Sequence, residues 1–374
     1  MKSLPLLMFV FLASLTIFIC CGGNGDDDDA GDDDSAADDD DDDSAVDDDD
    51  DDNAPLELYG VEPRSGGASV AATVSLAGRG FADGLTVFVG AEQAEDVVVL
   101  SGTEARAVFP RVDLNQRGRM DVTVFLGEQT SGLKDAFEYV FDEDPVVMVH
   151  GFDGDDFDFD DITEWFLELG YPEDSLFAVD FSDNLGSVIP EASDELPAFV
   201  DQVLQSTGAS KVDIIAHSMG SLAARLWIKE YGGHDKVRDF VSIAGANHGS
   251  TTACALQWWG EGMKELCPSY ADEEHSYNGV QWTLNGDPDT EDVDETPYGV
   301  EDGGEIYWMG ALYSNADIVI IPQASCCLNQ SHINDCSHPI NVRIQDVAHN
   351  PMIHNEEVFD LVQGMIREHN PSKP

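Results

Sequence analysis

Val212-Asp213-Ile214-Ile215-Ala216-His217-Ser218-Met219-Gly220 reads as a strand running into a sharp turn. The apolar run from Val212 to Ala216 suits a fully buried parallel strand. It stops at His217-Ser218, and a helical stretch from Ser221 to about Tyr231 follows at once. Strand, tight turn and helix with a serine at the apex form a nucleophile elbow. The turn is so tight that the positions two before and two after the serine must be small, and they are Ala216 and Gly220. A helix starting here aims backbone N–H groups and a partial positive charge at any oxyanion formed beside the serine. A small-x-Ser-x-Gly pentapeptide is common by chance; its flanking strand and helix give it weight.

Outward from this point, strands and helices alternate. Pro145 to Val149, Ser175 to Phe181, Val237 to Ala246, Glu305 to Ser314 and Asn341 to Val347 are expected strands. Ile162 to Leu169, Glu195 to Ser206 and Glu356 to His369 are expected helices. Such alternation predicts an α/β fold, a doubly wound and mostly parallel sheet covered on both faces. The active site is then expected at the carboxyl ends of its strands.

Three pieces of chemistry fall at those ends. His150-Gly151-Phe152 follows the first strand, where glycine lets the backbone approach and the N–H of Phe152 can face a reacting carbonyl. The N–H of Met219 would be the second oxyanion donor. Asp317 directly follows a strand, where a carboxylate orients a histidine and stabilises its cation. This chain is full of aspartates, so position rather than type singles Asp317 out. His349 follows the last strand and precedes the last helix, where it can take the serine proton and return it to a leaving group. His354 is its rival, five residues on. His217 is read as structural, its side chain pointing away from that of Ser218. The order Ser218, Asp317, His349 is that of α/β-hydrolases. The acidic loop Asp153 to Asp161 lacks the sixth-position glycine and twelfth-position glutamate of an EF-hand, and that reading is rejected.

The chain has 374 residues, enough for two domains with appendages. Its 75 acidic residues against 17 Lys and Arg give a formal charge of −58, which excludes a nucleic-acid binder. Only 19 of the acidic residues lie between Asp26 and Asp52, so the remainder is itself strongly acidic. Residues 1–21 carry Lys2, an apolar run from Leu4 to Ile19 and Cys20-Cys21, followed by Gly22-Gly23. The run is short for a membrane span and reads as a signal peptide. Ending on cysteine, it resembles a bacterial lipoprotein signal, which implies lipidation at Cys21 (with Cys20 the alternative) and a protein exported to the cell envelope. Residues 22–54 hold Asp runs that repel themselves and stay extended, a tether.

Residues 55–142 change character. Leu56 to Val61, Val70 to Leu76, Leu85 to Val89, Asp96 to Leu100, Ala105 to Phe109, Met120 to Leu126 and Ala136 to Phe141 are short apolar or alternating stretches between turn residues. They predict an antiparallel sandwich. Val61-Glu62-Pro63, Gly78-Arg79-Gly80-Phe81, Val87-Phe88-Val89-Gly90 and Phe137-Glu138-Tyr139 resemble the IPT/TIG immunoglobulin-like family. Nothing here looks catalytic, and a spacer role is expected.

The catalytic part, residues 144–374, resembles the α/β-hydrolase fold through residue 370. Within that fold it is similar to bacterial lipases of the class 2 type, whose elbow reads Ala-His-Ser-Met-Gly. Val147 to Gly151, Gly245-Ala246-Asn247-His248-Gly249-Ser250 and Leu312 to Val319 also resemble family blocks. The resemblance implies hydrolysis of carboxylic esters, triacylglycerol or related lipid esters among them, through an acyl-serine. It implies neither a metal nor a cofactor. One departure is Ser221, where glycine often follows the elbow. Another is the longer acidic stretch between Ser250 and Glu305, which holds Trp258, Trp259, Tyr270, Trp282 and Tyr298. That stretch either covers the acyl pocket or packs on the surface.

Cys254, Cys267, Cys326, Cys327 and Cys336 fit an exported protein. Cys254–Cys267 would close one loop and Cys336 with Cys326 or Cys327 another, leaving one thiol. Rival functions are acyl transfer or attack on a polymeric ester with the same residues. A different class is a cell-surface binding protein with a silent hydrolase, which the intact Ser, Asp, His and His-Gly argue against.

Overall fold

In the computed structural model, residues 54–268, 279–286, 308–328 and 336–368 are described. They belong to one unit spanning Asp51–Pro374. The expected signal sequence with Cys20 and Cys21, the Asp-rich stretch up to Asn53 expected to be a tether, Tyr270, Tyr298 and Glu305 lie outside the described residues.

The N-terminal region is two facing sheets. The first has the order β1 (Glu57–Glu62), β3 (Ala72–Arg79), β7 (Glu104–Phe109), β6 (Glu95–Ser101). The second runs β2 (Ser65–Gly67), β9 (Gln129–Val140), β8 (Gly118–Leu126), β4 (Thr86–Val89), β5 (Glu92–Gln93). Seven of these correspond to the apolar stretches of the sequence. β2 and β5 are too short to carry a pattern, and β2 pairs parallel to β9 in an otherwise antiparallel region. Alternation sends Val87, Val89, Val122 and Val124 inward, onto Phe109, Phe137 and Tyr139.

The second region is an α/β-hydrolase sheet of six parallel strands. Its order is β11 (Leu176–Val179), β10 (Val146–Val149), β12 (Val212–His217), β13 (Val237–Ile243), β14 (Trp308–Ser314), β15 (Asn341–Ile344). Every residue of β10 and β12 is buried, as strands covered on both faces require. Val212, Ile214 and Ala216 of β12 face α2 (Leu196–Thr207) and α3 (Gly220–Glu230). Ile215 faces the core that holds α1 (Asp160–Glu168) and the last helix, Glu356–Glu368. The chain leaves β10 toward β11 on one side and returns to β12 on the other, which opens a crevice at the carboxyl ends. Register brings those ends level: Val149 pairs with Ala216, His217 with Ile243, Ile243 with Leu312.

The two regions share apolar core. Leu114 and Tyr171 are both buried in one cluster, and the rings of Phe141 and Tyr171 lie 5.3 Å apart. The Arg117 guanidinium donates to the carbonyl of Gly170 and sits 5.7 Å from the centre of the Phe141 ring. The expectation of a spacer did not include this packed junction.

Disulfides join Cys254 to Cys267 and Cys327 to Cys336, and Cys326 is a buried thiol. The second bridge resolves the choice between Cys326 and Cys327. Beyond β13 the chain forms α4 (Thr251–Cys254), α5 (Glu261–Leu266) and α6 (Gly279–Asn285). The last helix, Glu356–Glu368, is α7.

Candidate active site

Ser218 sits at the apex between β12 and α3 with φ of +52°, a left-handed conformation rare for a side chain bearing Cβ. The turn is held by its backbone: Ser218 N–H donates to Ile243 O, and Ser218 O accepts from the N–H groups of Ser221 and Ala246. Two glycines make room for it. A Cβ on Gly220 would lie 2.3 Å from His150 O, and one on Gly151 would lie 2.7 Å from Ser218 Cβ. The elbow is thereby pressed against the loop after β10. Ser221, directly after the elbow, is fully buried, with its Oγ 3.0 Å from Ser242 Oγ.

Ser218, Asp317 and His349 are brought together. Ser218 Oγ lies 2.8 Å from His349 Nε2, and His349 Nδ1 lies 2.7 Å from Asp317 Oδ2. Asp317 is fully buried, and its Oδ1 accepts from the N–H groups of Val319 at 2.8 Å and Ile320 at 3.0 Å. With a carboxylate accepting at Nδ1, that nitrogen carries the imidazole proton. Nε2 then offers its lone pair to the serine hydroxyl. The arrangement can move the Ser218 proton onto His349 while Asp317 balances the charge formed.

Phe152 and Met219 flank Ser218, one after Gly151 and one at the start of α3. Neither N–H donates to another group among the described residues. His150 is committed elsewhere. Its Nδ1 donates to Gly151 O at 2.9 Å, and its Nε2 accepts from Phe181 N–H at 3.3 Å. His354 is exposed, and its Nδ1 meets Asp161 Oδ2 at 2.9 Å rather than Ser218.

His217, read from the sequence as structural, packs its ring on that of His349 and lines the same cavity as Ser218. Burial, then the neighbouring His349, holds its pKa well below the usual histidine range.

No role was expected for Ser250 from the sequence, although it ends the stretch Gly245-Ala246-Asn247-His248-Gly249-Ser250. Ser250 Oγ donates to Val319 O at 2.6 Å and accepts from Ile321 N–H at 3.0 Å. Thr251 N–H donates to Ile321 O, and Thr252 Oγ1 donates to Val319 O. These bonds hold the loop that presents Asp317. The same segment is tied by Cys254–Cys267 to the end of α5.

The cavity has a volume of about 430 Å³. Leu256, Trp259, Met263 and Leu266 form an apolar wall, with Phe152 and Trp259 rings 5.9 Å apart. Trp259 therefore lines the cavity, whereas Trp258 is 81% exposed and stacks on Trp259. Behind α5, Glu265 accepts from Ser187 Oγ at 2.6 Å and Val188 N–H at 2.7 Å. Glu191 stands near it, buried, with no partner for Oε1 among the described residues. Burial first, then Glu265, Glu195 and Asp183, push the Glu191 carboxyl up to about 9. Among the described residues no group of His, Cys, Asp and Glu could hold a metal ion.

Residues 143–272 match the family model described as lipase (class 2), a span that includes the elbow but ends before Asp317 and His349. Solved structures with a similar fold include the lin2722 gene product of Listeria innocua. It is 13% identical, with 60% of this chain and 94% of that one covered and a TM-score of 0.40. The mature form of Bacillus licheniformis lipase BlEst2 is 14% identical, with 60% and 92% covered and a TM-score of 0.40. The span that builds the elbow is thus similar to class 2 lipases, and this likeness supports a hydrolase of the lipase or esterase kind.

Proposed function

We propose that this chain hydrolyses carboxylic esters, lipid esters such as triacylglycerol among them, through an acyl-serine on Ser218. The observation that carries the reading is the buried hydrogen-bonded chain Ser218–His349–Asp317. His349 Nε2 takes the hydroxyl proton as Ser218 Oγ attacks the ester carbonyl. The N–H groups of Phe152 and Met219 receive the oxyanion. His349 then protonates the departing alkoxide, and Asp317 stabilises the imidazolium and fixes its tautomer. A water activated by the same histidine releases the acid. The apolar wall suits an acyl chain, and no step requires a cofactor.

The site is on an exported protein in this reading, lipid-anchored at Cys21 on the cell envelope and carried by the IPT/TIG-like region. Two disulfides support an oxidising compartment. Replacing Cys21 by serine is expected to release the protein or leave its precursor unprocessed. Continued membrane attachment in the Cys20/Cys21 double variant would remove the anchor from the reading.

The enzymatic test is a chain-length series of p-nitrophenyl esters, with a phosphonate probe for Ser218. Turnover in the wild type, with turnover and labelling both lost in Ser218→Ala, is expected. Wild-type turnover in Ser218→Ala would overturn the proposal.

A further inference from the structure

The cavity beside Ser218 is not uniform. One wall is apolar, carried by α4, α5 and the residues between them. The other begins at His349 itself, continues through Asn350–His354, and packs against Asp156–Phe159 and α1. This second wall presents acceptors. Asp158 lines the cavity on this side, Asp161 backs His354 at its edge, and Asp153, next to Phe152, lines the cavity as well. His217 also lines the cavity, but its Nε2 is buried and its ring lies against that of His349, so it offers the substrate no acceptor. No lysine or arginine lines the cavity among the described residues.

His349 delivers its proton to the departing alcohol, so the alcohol leaves on the His349 side. That is the side of the carboxylates. We propose that the substrates are esters joining an apolar acyl group to a positively charged alcohol, one bearing a protonated amine. This rests on the ester-hydrolase reading above and names the substrate class of that same site. The ammonium N–H is a donor among acceptors, and its charge is drawn in by a chain whose formal charge is −58. The same field expels the carboxylate product. A neutral alcohol is not drawn in, and an anionic one is repelled; the acid product is the same for all.

The test compares three butyrate esters on the full chain. 2-(Dimethylamino)ethyl butyrate is cationic at neutral pH, 3-methylbutyl butyrate is its neutral isostere, and 2-carboxyethyl butyrate is anionic. Each kcat/KM is normalised to the hydroxide-catalysed rate, which removes the difference in leaving-group acidity. The cationic ester is expected to exceed the neutral one by about tenfold or more, with the anionic ester slowest. The ratio should shrink as salt is raised, because rim charges are screened. It should shrink again in Asp153→Asn/Asp158→Asn, with folding checked by circular dichroism. The salt series needs no variant and stands if that double variant misfolds. Equal normalised rates on all three esters, or a ratio indifferent to salt, overturn the charged-alcohol proposal and leave the hydrolase intact. If no ester is turned over and the phosphonate does not label Ser218, the hydrolase reading fails and this proposal with it.

Discussion

The imidazole of His217 lies against that of His349, with ring centroids 4.9 Å apart and planes tilted by 41°. His217 is kept neutral there by burial and by its neighbour. A second cation at this distance would oppose the imidazolium that His349 forms during turnover, so a ring held neutral suits the position.

That neutrality has a consequence for stability. The unfolded chain protonates this histidine near its ordinary value of about 6.5, whereas the folded chain does so well below it. Between those values the unfolded state binds the extra proton, so stability falls as pH drops below about 6.5. His217→Gln is expected to flatten that acid limb. Urea unfolding of both proteins from neutral pH down to pH 5 measures it, and parallel curves would contradict the assignment.

The hydrogen-bonded chain predicts unequal losses on substitution. Ser218→Ala and His349→Ala should each lower kcat by roughly 10⁵-fold or more, since the two act as one unit. Asp317→Asn should cost about 10⁴-fold, because an amide at Oδ2 favours the wrong tautomer. His354→Ala should keep most activity on a neutral ester, as its partner is Asp161. The four variants on one soluble ester decide this. An inactive His354→Ala with an active His349→Ala would reverse the roles of the two histidines.

These residues were legible because their chemistry is bound to local pattern. The elbow must be small-x-Ser-x-Gly, since Gly220 has no room for a Cβ, and the strand before it must be apolar. Asp317 and His349 were singled out because they stand just past strands. Other features depend on contacts between distant segments, which no periodicity announces. Ser250 braces Val319 and Ile321 across about 70 positions of chain. The contact of the His217 ring with His349 follows from packing, not from its place beside Ser218. Arg117 is one of 17 basic residues, and nothing nearby marks it as reaching Gly170. Glu191 looks like any of 75 acidic residues until the fold closes over it.

The junction around Tyr171 predicts that the catalytic region loses stability when cut away. Phe141 and Leu114 come from the β region and cover Tyr171 and its neighbours. Each large apolar side chain returned to water costs about 1.5–3 kcal/mol. Residues 144–374 alone should therefore melt several degrees below residues 54–374, by about 2–4 °C for each kcal/mol lost in a domain of this size. Matched calorimetry of the two fragments is the measurement. Equal melting temperatures would return the β region to the role of a spacer.

Glu191 gives the last prediction, and its sign is opposite to that of His217 on the pH axis. The carboxyl titrates near its ordinary value in the unfolded chain and at about 9 in the folded one. Between those values the folded state holds a proton that the unfolded state has lost. Stability from this group is complete below about pH 4.5 and falls steadily as pH rises through 9. A neutral amide escapes that loss. Glu191→Gln should therefore be more stable than the wild type above neutrality, by about 1–3 kcal/mol at pH 8. The gap should close toward pH 5. The gain should also reach the cavity, because the Glu265 that faces Glu191 lies on the helix carrying Met263 and Leu266. Once Glu191 ionises, two carboxylates repel behind that wall, so KM for a long-chain ester should rise in the wild type between pH 8 and 10 and stay flatter in the variant. Denaturation across pH and KM on one long-chain ester test both halves. A variant less stable than the wild type at pH 8 would mean that the buried carboxyl makes a bond the amide cannot replace.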